Sequence, residues 1–183
     1  MRDLSTSYTT REALLTHGLR LFWSRGFTNV SVREVARAAG VDVALISRYY
    51  GSKLGLFEAT LHEAYGLDGV VMPDGAALVD AIVQVFVTLD RGSDMPSVTR
   101  LIQMNADDEQ VGHLVRKVYD ELWQSKIEGV LGDPSRAALM SSAILGLCVA
   151  ENSLKLDGFA APHLPHYEQQ VRFLLTAALN FEA

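Results

Sequence analysis

Residues 31–57 read SVREVARAAGVDVALISRYYGSKLGLF, and this stretch decides the fold. Ser31 is a helix N-cap residue, and Glu34 three positions on completes a capping box in which each side chain answers the other's backbone N–H. Val30 before the cap and Val35 after it have the spacing of a hydrophobic staple. The helix so started uses Val35, Ala36 and Ala39 and stops at Gly40, where a missing Cβ admits a tight turn. Gly40-Val41-Asp42 leads into a second short helix over 43–49, with Asp42 suited to cap it. Two short helices joined by a Gly-containing turn form a helix-turn-helix. Ala36 is small where the two helices approach, Val41 and Ile46 can plug the angle between them, and Tyr50 is expected in the core.

Outward from this unit, apolar residues keep recurring at helical spacing. A first helix is expected over 10–25, lined by Ala13, Leu14, Gly18, Leu21 and Phe22 and ended by Gly26. A fourth runs over 53–67, after the Gly51-Ser52 step, with Leu54, Phe57, Leu61 and Ala64 on its inner face. Gly66, Gly69, Pro73 and Gly75 mark a connector. Further helices are expected over 76–90, 97–106, 108–131, 135–156 and 165–181. Breaks fall at Gly92, Asp94 and Pro96, at Gly132-Asp133-Pro134, and over 158–162. Val70-Val71-Met72 is too short for a strand and runs into Pro73, so the fold class is all-α.

The sequence here resembles a known family. The run from Gly26 through Ala36, then Ala39-Gly40-Val41, then the run from Ile46 through Phe57, is similar to the DNA-binding head of TetR-family regulators. The match covers roughly residues 10–60 without a gap. It implies an N-terminal three-helix helix-turn-helix domain over 1–55 and a helical ligand-binding and dimerisation body over 56–183. It also implies a homodimer on a roughly palindromic double-stranded DNA operator, acting as a repressor released by a small-molecule effector.

In such a motif the second helix enters the major groove while the first crosses the backbone. Val43 and Ala44 then face base edges and can contact thymine methyls, with Ser47 one turn on as a hydrogen-bonding group. Arg48 is a phosphate clamp or a guanine reader. Tyr49 can donate to a phosphate, and Lys53 joins its charge to a helix N-terminus. Ser31 and Arg33 make a similar seat on the preceding helix. Each has a plainer alternative: Ser31 as cap only, Arg33 as solvated surface, Tyr49 as core. Asp42 and Ser47 depart from many relatives, which carry a neutral residue such as Ser and a Tyr there. A carboxylate at 42 repels phosphate or accepts from a cytosine amino group.

In the body, the expected helix over 135–156 places Ala138, Leu139, Ser142, Leu145, Gly146 and Val149 at helical spacing. The last helix offers Val171, Leu174, Leu175, Ala178 and Leu179. These two are candidates for an intersubunit four-helix bundle, the alternative being an ordinary intrachain core. Polar or bulky residues that interrupt apolar faces give the effector-site candidates Gln103, Met104, Tyr119, Trp123 and Glu151.

Composition bounds the rest. The 183 residues carry a net charge of −6. Residues 1–60 hold eight Lys and Arg against five acids, leaving a basic head on an acidic remainder, which suits a protein whose head alone meets phosphates. The longest apolar run, over 143–150 and broken only by Gly146, is too short to span a bilayer, and the first residues lack a secretory h-region. A cytoplasmic protein without a membrane partner is expected. The single cysteine, Cys148, excludes an intrachain disulfide and reads as a buried small hydrophobe. The histidines (His17, His62, His113, His163, His166) are scattered without a Cys partner or a matching carboxylate cluster. With no P-loop, dinucleotide fingerprint or Gly-x-Ser-x-Gly, neither a metal nor a cofactor nor a catalytic residue is expected. Two other readings stay open: an inducer-independent accessory or architectural DNA-binding factor, and an enzyme of helical fold.

Overall fold

The computed structural model describes residues 4–64, 72–88, 95–159 and 164–182. The connector glycines Gly66 and Gly69, the break at Gly92 and Asp94, and His163 lie outside them. The described residues form helices α1 (Leu4–Arg25), α2 (Val32–Ala38), α3 (Ala44–Tyr50), α4 (Lys53–Ala64), α5 (Gly75–Thr88), α6 (Val98–Asn105), α7 (Gly112–Tyr119), α8 (Ser125–Leu131), α9 (Pro134–Val149) and α10 (Pro165–Leu179). Two π-helical turns, Asp120–Gln124 and Ala150–Leu154, follow α7 and α9 directly. The expected all-α class is what the chain adopts. α1 starts six residues earlier than expected, since neither Gly nor Pro interrupts residues 4–9.

Contacts divide the chain into two compact units. The first comprises Met1–Asp68 and Asp94–Val118; the second comprises Gly69–Ser93 and Tyr119–Ala183. The first therefore holds α1–α4, α6 and nearly all of α7. The second holds α5, both π turns and α8–α10. The division expected between residues 55 and 56 falls inside α4.

The first unit is built on a three-ring aromatic cluster. Phe22 and Phe27 are 5.8 Å apart, Phe22 and Phe57 5.7 Å, and Phe27 and Phe57 5.2 Å, the last two pairs edge to face. Leu14, Leu19, Trp23, Val30, Val35, Ile46, Leu56, Leu61 and Leu101 are buried in the same unit. The indole Nε1 of buried Trp23 donates to Thr60 Oγ1 at 3.3 Å.

The second unit buries Leu78, Val79, Ile82, Val83 and Phe86 of α5 with Met140 and Leu147 of α9 and Tyr167, Val171, Leu175 and Ala178 of α10. Asp133 caps α9 by accepting from Arg136 N at 2.8 Å, with Pro134 at the first helical position, as the Gly132-Asp133-Pro134 break suggests. Together with its π turn, α9 makes a continuous helix over Pro134–Leu154 that has the length and mean hydropathy of a membrane span. The apolar run at 143–150 is thus part of a longer helix, whose inner face (Ala137, Met140, Ser141 and Leu147) is buried within the unit.

Candidate nucleic-acid interface

The surface begins with the cap of α2. Ser31 holds extended backbone, and its hydroxyl accepts the Glu34 N–H at 3.2 Å. The Glu34 carboxylate accepts the Ser31 N–H and hydroxyl, both at 2.8 Å, and pairs with Arg25 at 3.0 Å. The Ser31 backbone N–H, then its hydroxyl and Arg25, hold the Glu34 carboxyl at about 2, below its ordinary 4.5. The expected capping box is present. Val30 and Val35 are both buried, as a staple requires.

The turn into α3 is made by Gly40 at φ 68, a left-handed conformation that disfavours a Cβ. Val41 N donates to Ala36 O at 3.0 Å, closing α2 onto the turn. α3 starts one residue later than expected. Val43 occupies its N-cap position without a side-chain bond, while Asp42 Oδ1 takes the Ala44 N–H at 2.7 Å. Ile46 alone is buried in α3, so the helix is held by one apolar anchor and presents its other faces outward.

Asp42, Val43, Ala44, Ser47 and Arg48 are all exposed, Val43 at 39 %. Ala44, Ser47 and Arg48 share one helical face by their three- and four-residue spacing. The Arg48 guanidinium lies 5.9 Å from the ring of half-buried Tyr49. Arg33 is exposed on α2, and Ser31 is exposed although engaged as a cap. Tyr50 is not a core residue: it is half-buried, donates its hydroxyl to Arg11 O at 2.6 Å, and carries the Arg11 guanidinium 5.6 Å above its ring. That hydroxyl finds its acceptor 39 residues away on α1, a partner no local pattern announces.

Lys53 stands at the first position of α4, half-buried, with Nζ 4.1 Å from the centroid of the Phe27 ring. Burial pushes its ammonium below the ordinary value, opposed by the carboxylates of Asp108 and Glu34. Asp108, in the turn between α6 and α7, accepts from the Thr28 hydroxyl at 2.6 Å and from Gln110 and Val111 N at 2.9 and 3.2 Å. Burial works to raise the Asp108 carboxyl, but these hydrogen bonds outweigh it and leave it below the usual value. Sequence reasoning missed Asp108, Asn105 and Thr28. Their partners lie about 80 residues apart.

The effector candidates do not form one cluster within either unit. Exposed Gln103 and half-buried Met104 lie on α6, in the first unit. Tyr119, Trp123 and Glu151 belong to the second. There the Tyr119 hydroxyl is buried without a hydrogen bond, and burial raises it above its ordinary range against the influence of nearby Ser141, with Cys148 adding to the rise. Ser141 donates to Gln124 Oε1 at 2.6 Å, and Tyr167 donates to Glu151. Both π turns supply members of this polar set, Gln124 and Glu151. The first unit also has a cleft of about 750 Å³ lined by residues that include Arg11, Thr16, Tyr50 and His62. Among the described residues no group of three or more His, Cys, Asp or Glu could hold a metal ion.

Residues 14–60, which contain the whole helix-turn-helix, match the sequence family described as bacterial regulatory proteins, tetR family. The HTH-type transcriptional regulator BetI of Escherichia coli (strain UMN026) is 26% identical over 127 residues, 69% of this chain and 60% of that protein. The chain thus spans less than two thirds of the length of the curated relatives it matches. NalD of Pseudomonas aeruginosa, described as the secondary repressor of the MexAB-OprM multidrug efflux pump, shares the fold with TM-score 0.70 at 19% identity over 95% of both chains. A tetR-family regulator from Streptomyces coelicolor gives TM-score 0.57 at 26% identity, over 93% of this chain and 79% of the other.

Proposed function

We propose that the chain, whose residues 14–60 match the tetR family of bacterial regulatory proteins, is a homodimeric transcriptional repressor in the cytoplasm, released from operator DNA by a small-molecule effector. The observation that carries the reading is the outward face of α3. Val43, Ala44, Ser47 and Arg48 stand exposed on a helix fixed by buried Ile46, inside the segment that matches the family. Small apolar side chains and a hydroxyl suit base edges. Arg48 and Tyr49 at the far end of the helix, and Arg33 on α2, suit flanking phosphates. The reading is supported by the similarity to BetI, a transcriptional regulator, and to NalD, a repressor.

The dimer is assigned to α9 and α10. Tyr167, Val171, Leu175 and Ala178 turn inward, which leaves Gln169, Phe173, Thr176, Ala177 and Asn180 on the opposite face of α10. Phe173 is 73 % exposed there, and Leu139 of α9 is 40 % exposed. A second copy would bury them. The effector site is placed in the second unit around Tyr119 and Trp123, because a buried hydroxyl without a bond is where a ligand's polar group gains most.

Protection of DNA upstream of the protein's own gene, with non-specific competitor present, tests the reading. Protection of a roughly palindromic site by two protomers supports it. Retention of less than a tenth of the affinity by Arg48→Ala together with Ser47→Ala would place the contact on α3. Unchanged affinity in that variant would remove α3 from the interface.

A further inference from the structure

The start of α2 offers DNA fewer donors than its residues suggest. Ser31 can donate through its backbone nitrogen and its hydroxyl. Both protons go to Glu34 Oε2, each at 2.8 Å, and the hydroxyl oxygen takes the Glu34 N–H in return at 3.2 Å. The cap is closed on itself, and Ser31 keeps no proton for a phosphate. Beside it stands Arg25, the last residue of α1. One terminal nitrogen of its guanidinium pairs with Glu34 Oε1 at 3.0 Å, and the other donates to Asn29 O at 3.4 Å. The Asn29 carboxamide answers by donating to Arg25 O at 2.9 Å. The guanidinium thus lies one carboxylate away from Ser31, on a side chain that is 48 % exposed. A guanidinium carries five N–H groups in a rigid planar fork. Two of them hold Arg25 to Glu34 and Asn29, and the others have no acceptor among the described residues.

We propose that Arg25 is a DNA-phosphate contact of the helix-turn-helix and that Glu34 is its positioning residue. The proposal rests on the DNA-binding reading above. In such a motif α2 is the helix that crosses the DNA backbone. The Arg25 fork stands at the start of that helix, where Arg33, its second residue, is also exposed. A fork already held by Glu34 and Asn29 meets a phosphate in a fixed orientation, so little side-chain freedom is lost in the contact. Glu34 keeps this role at neutral pH, since its carboxyl lies at about 2. The same carboxylate repels nearby phosphates. Removing its charge should therefore favour DNA binding unless Glu34 orients Arg25, and the sign of that change separates the two.

The test is a double-mutant cycle on affinity for the upstream DNA, or for a selected duplex, across a salt series. Arg25→Ala is expected to bind about tenfold more weakly, the scale of a lost charge-assisted hydrogen bond. Its salt slope is expected to fall by about one for each protomer bound. Glu34→Gln keeps a side-chain oxygen that can accept the Ser31 N–H, so the cap survives. With Arg25 present, Glu34→Gln is expected to weaken binding about threefold, within the range of coupling between residues in contact. In the Arg25→Ala background it is expected to tighten binding or leave it unchanged.

A clasp that only stiffened the turn between α1 and α2 would lower stability and affinity without touching the salt slope. An unchanged slope in Arg25→Ala would therefore overturn the phosphate contact. An effect of Glu34→Gln that is the same in both backgrounds would overturn the positioning. Arg25→Lys covers the case in which Arg25→Ala folds poorly. It keeps the charge without the fork, so the slope is expected to hold while the affinity falls, and wild-type affinity would overturn the positioning. Wild-type protein that binds no duplex at low salt would overturn the DNA-binding reading and this proposal together. Wild-type binding with an unchanged slope in Arg25→Ala would overturn this proposal alone.

Discussion

Asn105 Oδ1 accepts the backbone N–H of Phe27 at 2.7 Å, across 78 residues of sequence and inside the core of the first unit. The same carboxamide donates to Phe22 O at 3.1 Å and Leu101 O at 3.0 Å, and Asn105 is fully buried. α6 thus grips the turn that starts the helix-turn-helix. Gly26 makes the fit possible: it has φ 87, and a Cβ there would sit 3.0 Å from Met104 O.

Asn105→Leu keeps the volume but strands the Phe27 N–H in the core, which costs about 1–3 kcal/mol for an unmet buried donor. Denaturant unfolding should show that loss. A variant as stable as the wild type would mean that the turn finds another acceptor.

How far the sequence revealed this fold follows from the range of each interaction. The α2 cap, the Gly40 turn and the Gly132-Asp133-Pro134 break are local, with partners three to five residues apart, and were readable. Helical spacing likewise singled out Val171, Leu175 and Ala178 of α10, which the second unit buries in its own core. The Asn105 clamp, the Asp108–Thr28 bond and the Tyr50–Arg11 bond join distant segments, and single-residue patterns carry no trace of them. α6 joins the first unit through contacts with α1, not through sequence order, another long-range relationship that local patterns do not carry.

Glu34 gives a pH prediction. Its folded-state carboxyl lies at about 2 against an ordinary 4.5, so the stability it contributes is complete above pH 4.5. That contribution is lost as the pH falls towards 2. Glu34→Gln should flatten the dependence of unfolding free energy on pH across this window. An identical acid limb in both proteins would show that the capping box does not set it. Ser31→Ala should cost about 1 kcal/mol through the lost cap. Ser31→Asp should keep the cap, yet weaken DNA binding by placing a carboxylate beside phosphate.

Two helical glycines should respond in opposite ways. A Cβ on Gly55 would collide with the carbonyl oxygen of Tyr50, where α3 gives way to α4. Gly55→Ala is expected to cost roughly 1–3 kcal/mol, the range for overpacking. A Cβ on Gly18 meets only the flexible Leu56 side chain at 3.4–3.5 Å, an ordinary contact. Gly18→Ala should be neutral or stabilising through helix propensity. Melting temperatures of the pair decide this, and equal shifts would contradict the account.

Phe173→Glu should convert a dimer to a monomer while leaving the fold intact, because Phe173 is exposed and makes no part of the buried core. Sedimentation at micromolar concentration checks it. A dimer that persists would move the interface off α10.

The central claim is that the exposed face of α3 reads DNA. Its most direct measurement is the affinity of the purified protein for its upstream DNA, and for sequences selected from random duplexes, across a salt series. The account predicts competitor-resistant binding by two protomers that weakens steeply with salt and collapses when Ser47 and Arg48 are both replaced by Ala. Absence of binding to either pool at low salt, or binding indifferent to those substitutions, would contradict it.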